Sequence, residues 1–162
     1  MPGRVASAFE FWGSQAMNET ATVDRATAQA MIERALGESR QEFGSFFLSR
    51  LLGFEVSFKD NCCIVEFEAT RALFNPQGTL HGGILATAMD VSMGHLLQHV
   101  DGAGATLTMT VQFLAPAKAG PVRCEASFLR RGRSISSLKS EAFQGDALVA
   151  HATATWRLRG AK

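Results

Sequence analysis

A chain of 162 residues, of which 46% are hydrophobic and 19% charged, is long enough for one domain with its own core. Its formal net charge of +1 argues against nucleic-acid binding through bulk positive charge. No apolar run approaches the roughly 18 residues of a membrane-spanning helix, so we expect neither nucleic acid nor a membrane as a partner.

The cysteines and the N-terminus predict a cytoplasmic protein. Two adjacent cysteines, Cys62 and Cys63, and a distant third, Cys124, fit neither a disulfide framework nor a zinc pattern. Glu10 and polar neighbours interrupt the apolar segment that a secretory signal requires. A reducing compartment therefore fits best.

Helical spacing dominates the N-terminal third of the chain. Residues 1 to about 22 are compatible with a helix or with a mobile arm. Thr22 or Asp24 can cap a helix that follows them. A second helix is predicted from about Gln41 to Leu52.

Alternation with a period of two begins after Gly53. Residues 54–58 and 63–69 alternate apolar and polar side chains on either side of Asp60-Asn61, which predicts a β-hairpin. Four more strands follow from residue 105 onwards, and tight turns at 131–133 and 144–146 join the last three. Such short links make a sheet largely antiparallel.

The stretch from Asn75 to His99 is a loop that leads through His81-Gly82-Gly83 into a helix without a polar face. Asp90 is the only acid of this helix, and a carboxylate on a buried helix must be paired, hydrogen-bonded or used chemically. With the strands, this helix predicts an α+β domain over residues 41–162, preceded by an N-terminal helical arm over residues 1–40.

Four features mark this domain: Asn75, the run Gly78-Thr79-Leu80-His81-Gly82-Gly83, Asp90 nine residues after the histidine, and Phe113-x-x-Pro116-Ala117 after the first long strand. Together they resemble the hotdog-fold acyl-CoA thioesterases, in particular the phenylacetate-degradation (PaaI-type) branch. The resemblance covers roughly Phe46 to Arg159. It implies a hotdog fold, in which an antiparallel sheet of five to six strands wraps round a long central helix, with extra N-terminal helices. It also implies a homodimer that binds acyl-CoA, and we expect two such dimers to pair.

The resemblance assigns catalytic roles that elementary chemistry supports. A helix N-terminus supplies unpaired N–H groups and partial positive charge, so the Gly82 N–H would stabilise the oxyanion with the Asn75 side chain as a helper. Asp90 would act as the nucleophile or as the general base that activates water, and the Thr106 hydroxyl would orient that water. Gly82 and Asp90 are roughly 12 Å apart along the helix, so we predict that two antiparallel copies share each site.

Each assignment has a purely structural alternative. Asp90 can cap a neighbouring segment, and Thr106 can simply belong to the polar face of its strand. Gly82 and Gly83 can serve close packing of the helix as well as close approach of substrate. His81 is expected to orient backbone at the substrate site by hydrogen bonding instead of acting as a base.

No metal site and no cofactor are predicted, since coenzyme A enters only as part of the substrate. His95 and His99 have the i, i+4 spacing of paired metal ligands, but no third ligand is evident. Four apolar residues near the helix can line an acyl pocket or belong to the core: Leu85, Met89, Met93 and Phe74.

A basic cluster lies at the turn between two predicted strands and comprises Arg130, Arg131, Gly132, Arg133 and Ser134. Coenzyme A carries several phosphate charges, which guanidinium groups bind well. The resemblance places the nucleotide part of the ligand at this turn. A solvated hairpin tip explains the same residues equally well.

The sequence therefore predicts an acyl-CoA thioesterase that acts on aryl or medium-chain acyl groups. Two other functions are compatible with the fold, because a fold alone does not fix an activity. One is a hotdog enoyl-CoA hydratase or dehydratase, and the other is a non-catalytic module that binds acyl-CoA or regulates through it.

Overall fold

A computed structural model describes residues 23–160 of the chain. Two helices, α1 (Arg25–Glu38) and α2 (Phe47–Leu52), precede the hairpin of β1 (Glu55–Lys59) and β2 (Cys62–Ala69). A 3₁₀ turn, Arg71–Leu73, leads to the long helix α3 (Gly82–Asp101). The remaining strands are β3 (Gly104–Phe113), β4 (Gly120–Arg130), β5 (Ile135–Gln144) and β6 (Ala147–Leu158). The prediction for residues 1–22 lies outside the described residues.

The six strands form one antiparallel sheet in the order β1-β2-β4-β5-β6-β3. Helix α3 packs against this sheet and contacts β2 to β6. Strand β3 is an edge strand, so one side of its backbone has no neighbouring strand within the described residues. The predicted α+β class, with an antiparallel sheet around a long central helix and further helices before it, is confirmed.

The core lies between α3 and the sheet, because alternate side chains of a strand point to the same face of a sheet. Along β2 these buried residues are Cys63, Val65, Phe67 and Ala69. Helix α3 contributes Met89, Met93, Leu96 and Leu97, all fully buried. Met89, Met93 and Leu85 therefore belong to the core, and Phe74 packs against it half-buried.

Asp24 begins α1, as the sequence predicts. Its carboxylate accepts hydrogen bonds from the backbone N–H groups of Ala26 (3.1 Å) and Thr27 (3.2 Å). Arg34 then ties α1 to α2, because its guanidinium donates to two carbonyl oxygens near the C-terminus of α2. The division of the chain at residue 40 stays a prediction. No described helix combines the length and the apolarity that crossing a membrane demands.

Two details differ from the sequence-based expectation. The helix predicted from Gln41 begins only at Phe47, because Gly44 adopts a φ of 81° and residues 40–45 close into tight turns. The alternation predicted along β3 breaks at Leu107, where the register with β6 shifts by one residue. Both corrections concern segments beside the candidate site.

Candidate active site

Helix α3 begins after a histidine that accepts hydrogen bonds from most of the backbone N–H groups in the first turn. His81 is the N-cap residue, and its ring Nδ1 accepts a hydrogen bond from the Gly83 N–H at 2.9 Å. Its carbonyl oxygen accepts from the N–H groups of Ile84 (2.9 Å) and Leu85 (3.3 Å). The Gly82 N–H, at the positive end of the helix, has no acceptor among the described residues. The ring and the carbonyl group of His81 thus orient the backbone at the start of α3, and the Gly82 N–H stays free.

Glycine at position 82 leaves room for a neighbouring aromatic ring. A β-carbon there would lie 3.1 Å from the ring of Phe113, the last residue of β3. Because Phe113 is 55% exposed, its ring has room to move when a ligand approaches. This contact shows that the N-terminus of α3 lies beside the C-terminal end of the edge strand β3.

The loop before α3 is shaped by Asn75. Its Oδ1 accepts hydrogen bonds from the N–H groups of Gln77 (2.9 Å) and Thr79 (3.3 Å), and its Nδ2 donates to Thr79 Oγ1 at 3.0 Å. An asparagine that bonds the backbone two residues ahead is typical of a tight turn. One Nδ2 hydrogen is left over, and its predicted help to an oxyanion stays a prediction.

Asp90 lies in the middle of α3, next to the edge strand. Its side chain is half-buried, and its Oδ1 accepts a hydrogen bond from Thr106 Oγ1 of β3 at 2.9 Å. Burial raises the pKa of the Asp90 carboxyl above its ordinary value, while the Thr106 hydrogen bond opposes the rise. A carboxylate with a raised pKa is a better proton acceptor near neutral pH. The structure therefore brings two predicted catalytic residues together.

Gly82 and Asp90 do not meet within one chain. Both lie on the unbroken helix α3, so eight residues separate them by about 12 Å along its axis. Three of the predicted catalytic residues thus lie at two separate places in the chain, which we call half-sites. One is the free Gly82 N–H, and the other is Asp90 with Thr106.

A cleft of about 300 Å³ opens beside Asp90. Its lining residues are Asp90, Val91, Gly94 and His95 of α3, Trp156 of β6, and Gln41, Glu42, Phe43 and Phe46 from the turns before α2. We call this the aromatic cleft. The sequence did not predict this cleft, because the spacing of the phenylalanines fits a helix and Trp156 fits the alternation of a strand. The glycine that follows Phe43 was the one local sign that the chain turns here instead of continuing as a helix.

The two histidines with metal-ligand spacing both contact aromatic rings. His95 Nδ1 lies 2.8 Å from the Val91 carbonyl oxygen, and its ring meets that of Phe43 at 5.2 Å between centroids. His99 stacks on Phe58 at 4.1 Å. Between residues 23 and 160 no three histidine, cysteine or acidic side chains cluster in a way that would hold a metal ion.

In the turn that carries Arg130, Arg131 and Arg133, one arginine forms an ion pair and the other two do not. Arg131 forms a two-bond ion pair with Asp101, at the end of α3, and this hydrogen bonding raises the pKa of Arg131. Its guanidinium also lies 5.4 Å from the centre of the Phe128 ring. Arg130 and Arg133 are exposed and form no ion pair with any described residue. These two are therefore the arginines available to a ligand.

The backbone of Gly132 and Ser134 holds the same turn. The Gly132 N–H donates to Ser136 Oγ at 3.2 Å, and a β-carbon at Gly132 would collide with the carbonyl oxygen of Ile135. The Ser134 carbonyl accepts from the Leu158 N–H at 2.9 Å. Contact of either residue with substrate stays a prediction.

Comparisons with known proteins agree with this fold. Residues 70–157 match a family model described as the acyl-CoA thioesterase N-terminal domain. A provisional thioesterase of Ralstonia eutropha, described as related to phenylacetic acid degradation, is 30% identical. The match covers 79% of this chain and 98% of that one, with a TM-score of 0.66.

Two further relatives are more distant. The PaaI protein of Escherichia coli, from the phenylacetic acid degradation operon, shares the fold with a TM-score of 0.70 at 19% identity, over 82% of this chain and 98% of that one. A Saccharolobus solfataricus protein with a provisional esterase name is 28% identical over 95 residues. That match covers 57% of this chain and 63%, just under two thirds, of the relative's length.

Proposed function

Because the chain belongs to the acyl-CoA thioesterase family and has the hotdog fold of its PaaI-type members, we propose that it hydrolyses acyl-CoA to a free acid and CoA. The observation that carries this proposal is the free Gly82 N–H at the positive end of α3. Negative charge that develops on a thioester oxygen needs such a donor. Asp90 supports the proposal as a half-buried carboxylate of raised pKa. We propose no cofactor, because coenzyme A is itself part of the substrate.

In the proposed reaction, the thioester carbonyl oxygen accepts a hydrogen bond from Gly82 N–H. Asp90 takes a proton from a water that Thr106 orients, and the hydroxide attacks the carbonyl carbon. The C–S bond then breaks, the new acid keeps the water oxygen, and the CoA sulfur receives the proton from Asp90. The alternative is direct attack by Asp90, which gives a mixed anhydride that water hydrolyses. Both routes use the same residues.

Strand β3 offers the surface that would join the two half-sites of different copies. Its outer edge carries unpaired backbone groups along ten residues, and Leu107 on it is 51% exposed. Near its start Thr106 contacts Asp90, and at its end Phe113 covers Gly82. Antiparallel pairing with β3 of a two-fold-related copy would place the start of each β3 strand beside the end of the other. Asp90 would then face Gly82 of the partner subunit.

A panel of aryl and medium-chain acyl-CoA substrates with a thiol reagent tests the proposal. Release of one thiol per substrate supports it, whereas tight binding without release indicates a non-catalytic binding module. Addition of water to an enoyl-CoA indicates a hydratase. Burial raises the pKa of Cys63 and Cys124 to about 12, so these thiols add little background, and a protein blank corrects for half-buried Cys62.

Thr106→Val should move the acid side of the pH–rate profile to higher pH. The threonine hydroxyl stabilises the charged Asp90 carboxylate, so its loss lets burial raise the pKa of Asp90 further. Because the ionised form is the reactive one, kcat/KM should begin to fall at a higher pH than in the native protein. Its maximum should drop about twofold to tenfold through the lost hydrogen bond.

The matched control for this substitution is Thr110→Val, an exposed threonine of the same strand without an Asp90 contact. Its profile should coincide with that of the native protein. An acid limb that stays in place in Thr106→Val would show that Thr106 belongs only to the polar face of its strand.

Arg130→Ala and Arg133→Ala should each raise KM for acyl-CoA about threefold to fivefold and leave kcat unchanged, because an exposed ion pair contributes at most about 1 kcal/mol. KM for an acyl-pantetheine, which lacks the nucleotide phosphates, should not change. Arg25→Ala, on exposed α1, is the control. An unchanged KM for acyl-CoA would leave the turn as a solvated hairpin tip.

Three finer expectations belong to the same proposal. We place the protein in the cytoplasm, which suits three unpaired thiols. We also expect two dimers to pair, and light scattering gives the molar mass that tests this. Aryl or medium-chain acyl groups are the proposed substrates, because the aromatic cleft beside Asp90 is mainly apolar and large enough for them.

A further inference from the structure

Asp101 lies at a place that disfavours a carboxylate for two reasons. It is the last residue of α3, and the C-terminus of a helix carries partial negative charge. Its side chain is only 16% exposed, so the carboxylate has also lost most of its contact with water. A charge kept in such a place needs a compensating partner. Arg131, from the turn between β4 and β5, is that partner.

The ion pair fixes the direction of the Arg131 side chain. Arg131 Nε donates to Asp101 Oδ2 at 3.1 Å, and Nη2 donates to Asp101 Oδ1. A two-bond contact between a planar guanidinium and a carboxylate sets the orientation of the whole group. The ring of Phe128, on β4, lies 5.4 Å from the guanidinium carbon and contacts the same side chain. Arg131 therefore joins the β4–β5 turn to the end of α3, across 30 residues of chain.

The backbone of the turn has little freedom beside this ion pair. A β-carbon at Gly132 would collide with the carbonyl oxygen of Ile135, so the two sides of the turn are in close contact. The Gly132 N–H donates to the hydroxyl of Ser136, which is fully buried in β5. The turn is thus attached at two successive residues, by Arg131 to α3 and by Gly132 to β5.

Arg130 and Arg133 flank these two attached residues, and neither forms an ion pair with a described residue. A long side chain gains less from a phosphate if its backbone must also be ordered on binding, because ordering costs conformational entropy. A turn that is ordered before binding avoids that cost. The ion pair of Arg131 with Asp101 can therefore raise the affinity for phosphate although Asp101 does not contact the ligand.

We propose that Asp101 is a positioning residue for the nucleotide part of the substrate: through Arg131, it holds the β4–β5 turn so that Arg130 and Arg133 reach the CoA phosphates. The inference rests on the proposed function in one respect, because it takes a CoA thioester as the ligand. Charge alone predicts the opposite effect, since a carboxylate near a phosphate repels it. The sign of the change when Asp101 is neutralised therefore separates positioning from charge.

Asp101→Asn should raise KM for acyl-CoA about threefold to tenfold and leave kcat unchanged, because the neutral amide holds the guanidinium less firmly. KM for the matching acyl-pantetheine, which lacks the nucleotide phosphates, should not change. Glu125→Gln is the matched control, since it removes the carboxylate of the Arg123–Glu125 ion pair on β4 (2.9 Å), and both KM values should stay native. An unchanged KM for acyl-CoA in Asp101→Asn, or a lower one, would overturn the inference.

A triple variant distinguishes positioning from a general effect on the fold. When Arg130→Ala and Arg133→Ala are both present, addition of Asp101→Asn should cause no further rise in KM for acyl-CoA. The side chains that Asp101 positions are then absent, so the effects of the substitutions are not additive. A further rise of similar size would show that Asp101 acts by another route, and the inference would be wrong.

Arg131→Lys covers the case in which Asp101→Asn does not fold. The lysine keeps the positive charge at a side chain that is 55% exposed, so the fold should tolerate it. It cannot form the planar two-bond contact, and KM for acyl-CoA should rise while KM for acyl-pantetheine stays native. A native KM for acyl-CoA in Arg131→Lys would contradict the proposed role of the ion pair.

Binding of free CoA keeps this inference separate from the proposed function. Calorimetric titration needs no turnover, and Kd for CoA should rise in Asp101→Asn by the same factor as KM. Failure to release thiol from any acyl-CoA, together with CoA binding that depends on Asp101, would remove the proposed function and support the inference. Thiol release by a protein whose Kd for CoA is the same with Asp101 or asparagine would do the reverse.

Discussion

Asp90→Asn is expected to lower kcat about 10³-fold and to leave KM nearly unchanged. The amide has almost the same shape, so it keeps the contact with Thr106 and loses only the ability to take a proton or attack a carbonyl carbon. The effect falls on the transition state, because Asp90 does not bind the CoA portion. Asp90→Ala should behave in the same way. Thiol release over a range of acyl-CoA concentrations measures both constants.

The same substitution should leave the protein at least as stable at neutral pH. The folded-state pKa of Asp90 is raised, so folding disfavours its ionised form. Its unfavourable contribution is absent at low pH and appears as the pH rises through the folded pKa. Loss of activity together with an equal or higher Tm would identify a functional carboxylate. A large fall in Tm would identify a structural cap. Asp146→Asn, in the exposed β5–β6 turn, is the control.

Mixing two inactive variants should restore activity if the half-sites belong to different copies. Gly82→Pro removes the proposed oxyanion donor at the first position of α3, where helices tolerate proline best. His81 before it is already extended, with φ −62° and ψ 126°, as a residue before proline requires. In a heterodimer with Asp90→Ala, one of the two sites keeps an intact Gly82 and an intact Asp90. We expect about half of native activity per heterodimer.

Gly82→Ala is the matched control for this experiment. It adds a β-carbon near Phe113 as proline does but keeps the N–H. It should therefore retain much more activity than Gly82→Pro, which is expected to lose at least about 10²-fold. Affinity tags on the two chains allow verified heterodimers to be isolated. If these remain as inactive as their parents, the site is not shared in the proposed way.

Short-range signals predicted most of the fold. The hairpin turn at Asp60-Asn61 has positive φ values of 50° and 63°, as a two-residue turn between alternating strands requires. His81-Gly82-Gly83 predicted the start of α3, because a polar cap before small residues is a local property. The order of strands in the sheet was not predicted, since pairing between distant segments leaves no periodic signal.

The site was predicted less completely than the fold. The contact between Asp90 and Thr106 joins two elements, and only the resemblance placed both residues in one site. The aromatic cleft depends on Phe43 lying over His95, across more than fifty residues of chain. The apolar spacing of residues 43–47 fitted a helix, and the backbone geometry of Gly44 was decisive against it. The sequence also did not show which arginine of the turn would form an ion pair, and the structure shows that Arg131 pairs with Asp101.

The free edge of β3 also affects the tendency of the protein to aggregate. An exposed strand of ten residues invites runaway cross-β association with any other extended chain. In the proposed assembly, the pairing that closes this edge also completes each catalytic centre. A substitution that weakened this pairing would then lower catalytic activity and expose the strand edge at the same time. Selection for activity would therefore also select against aggregation.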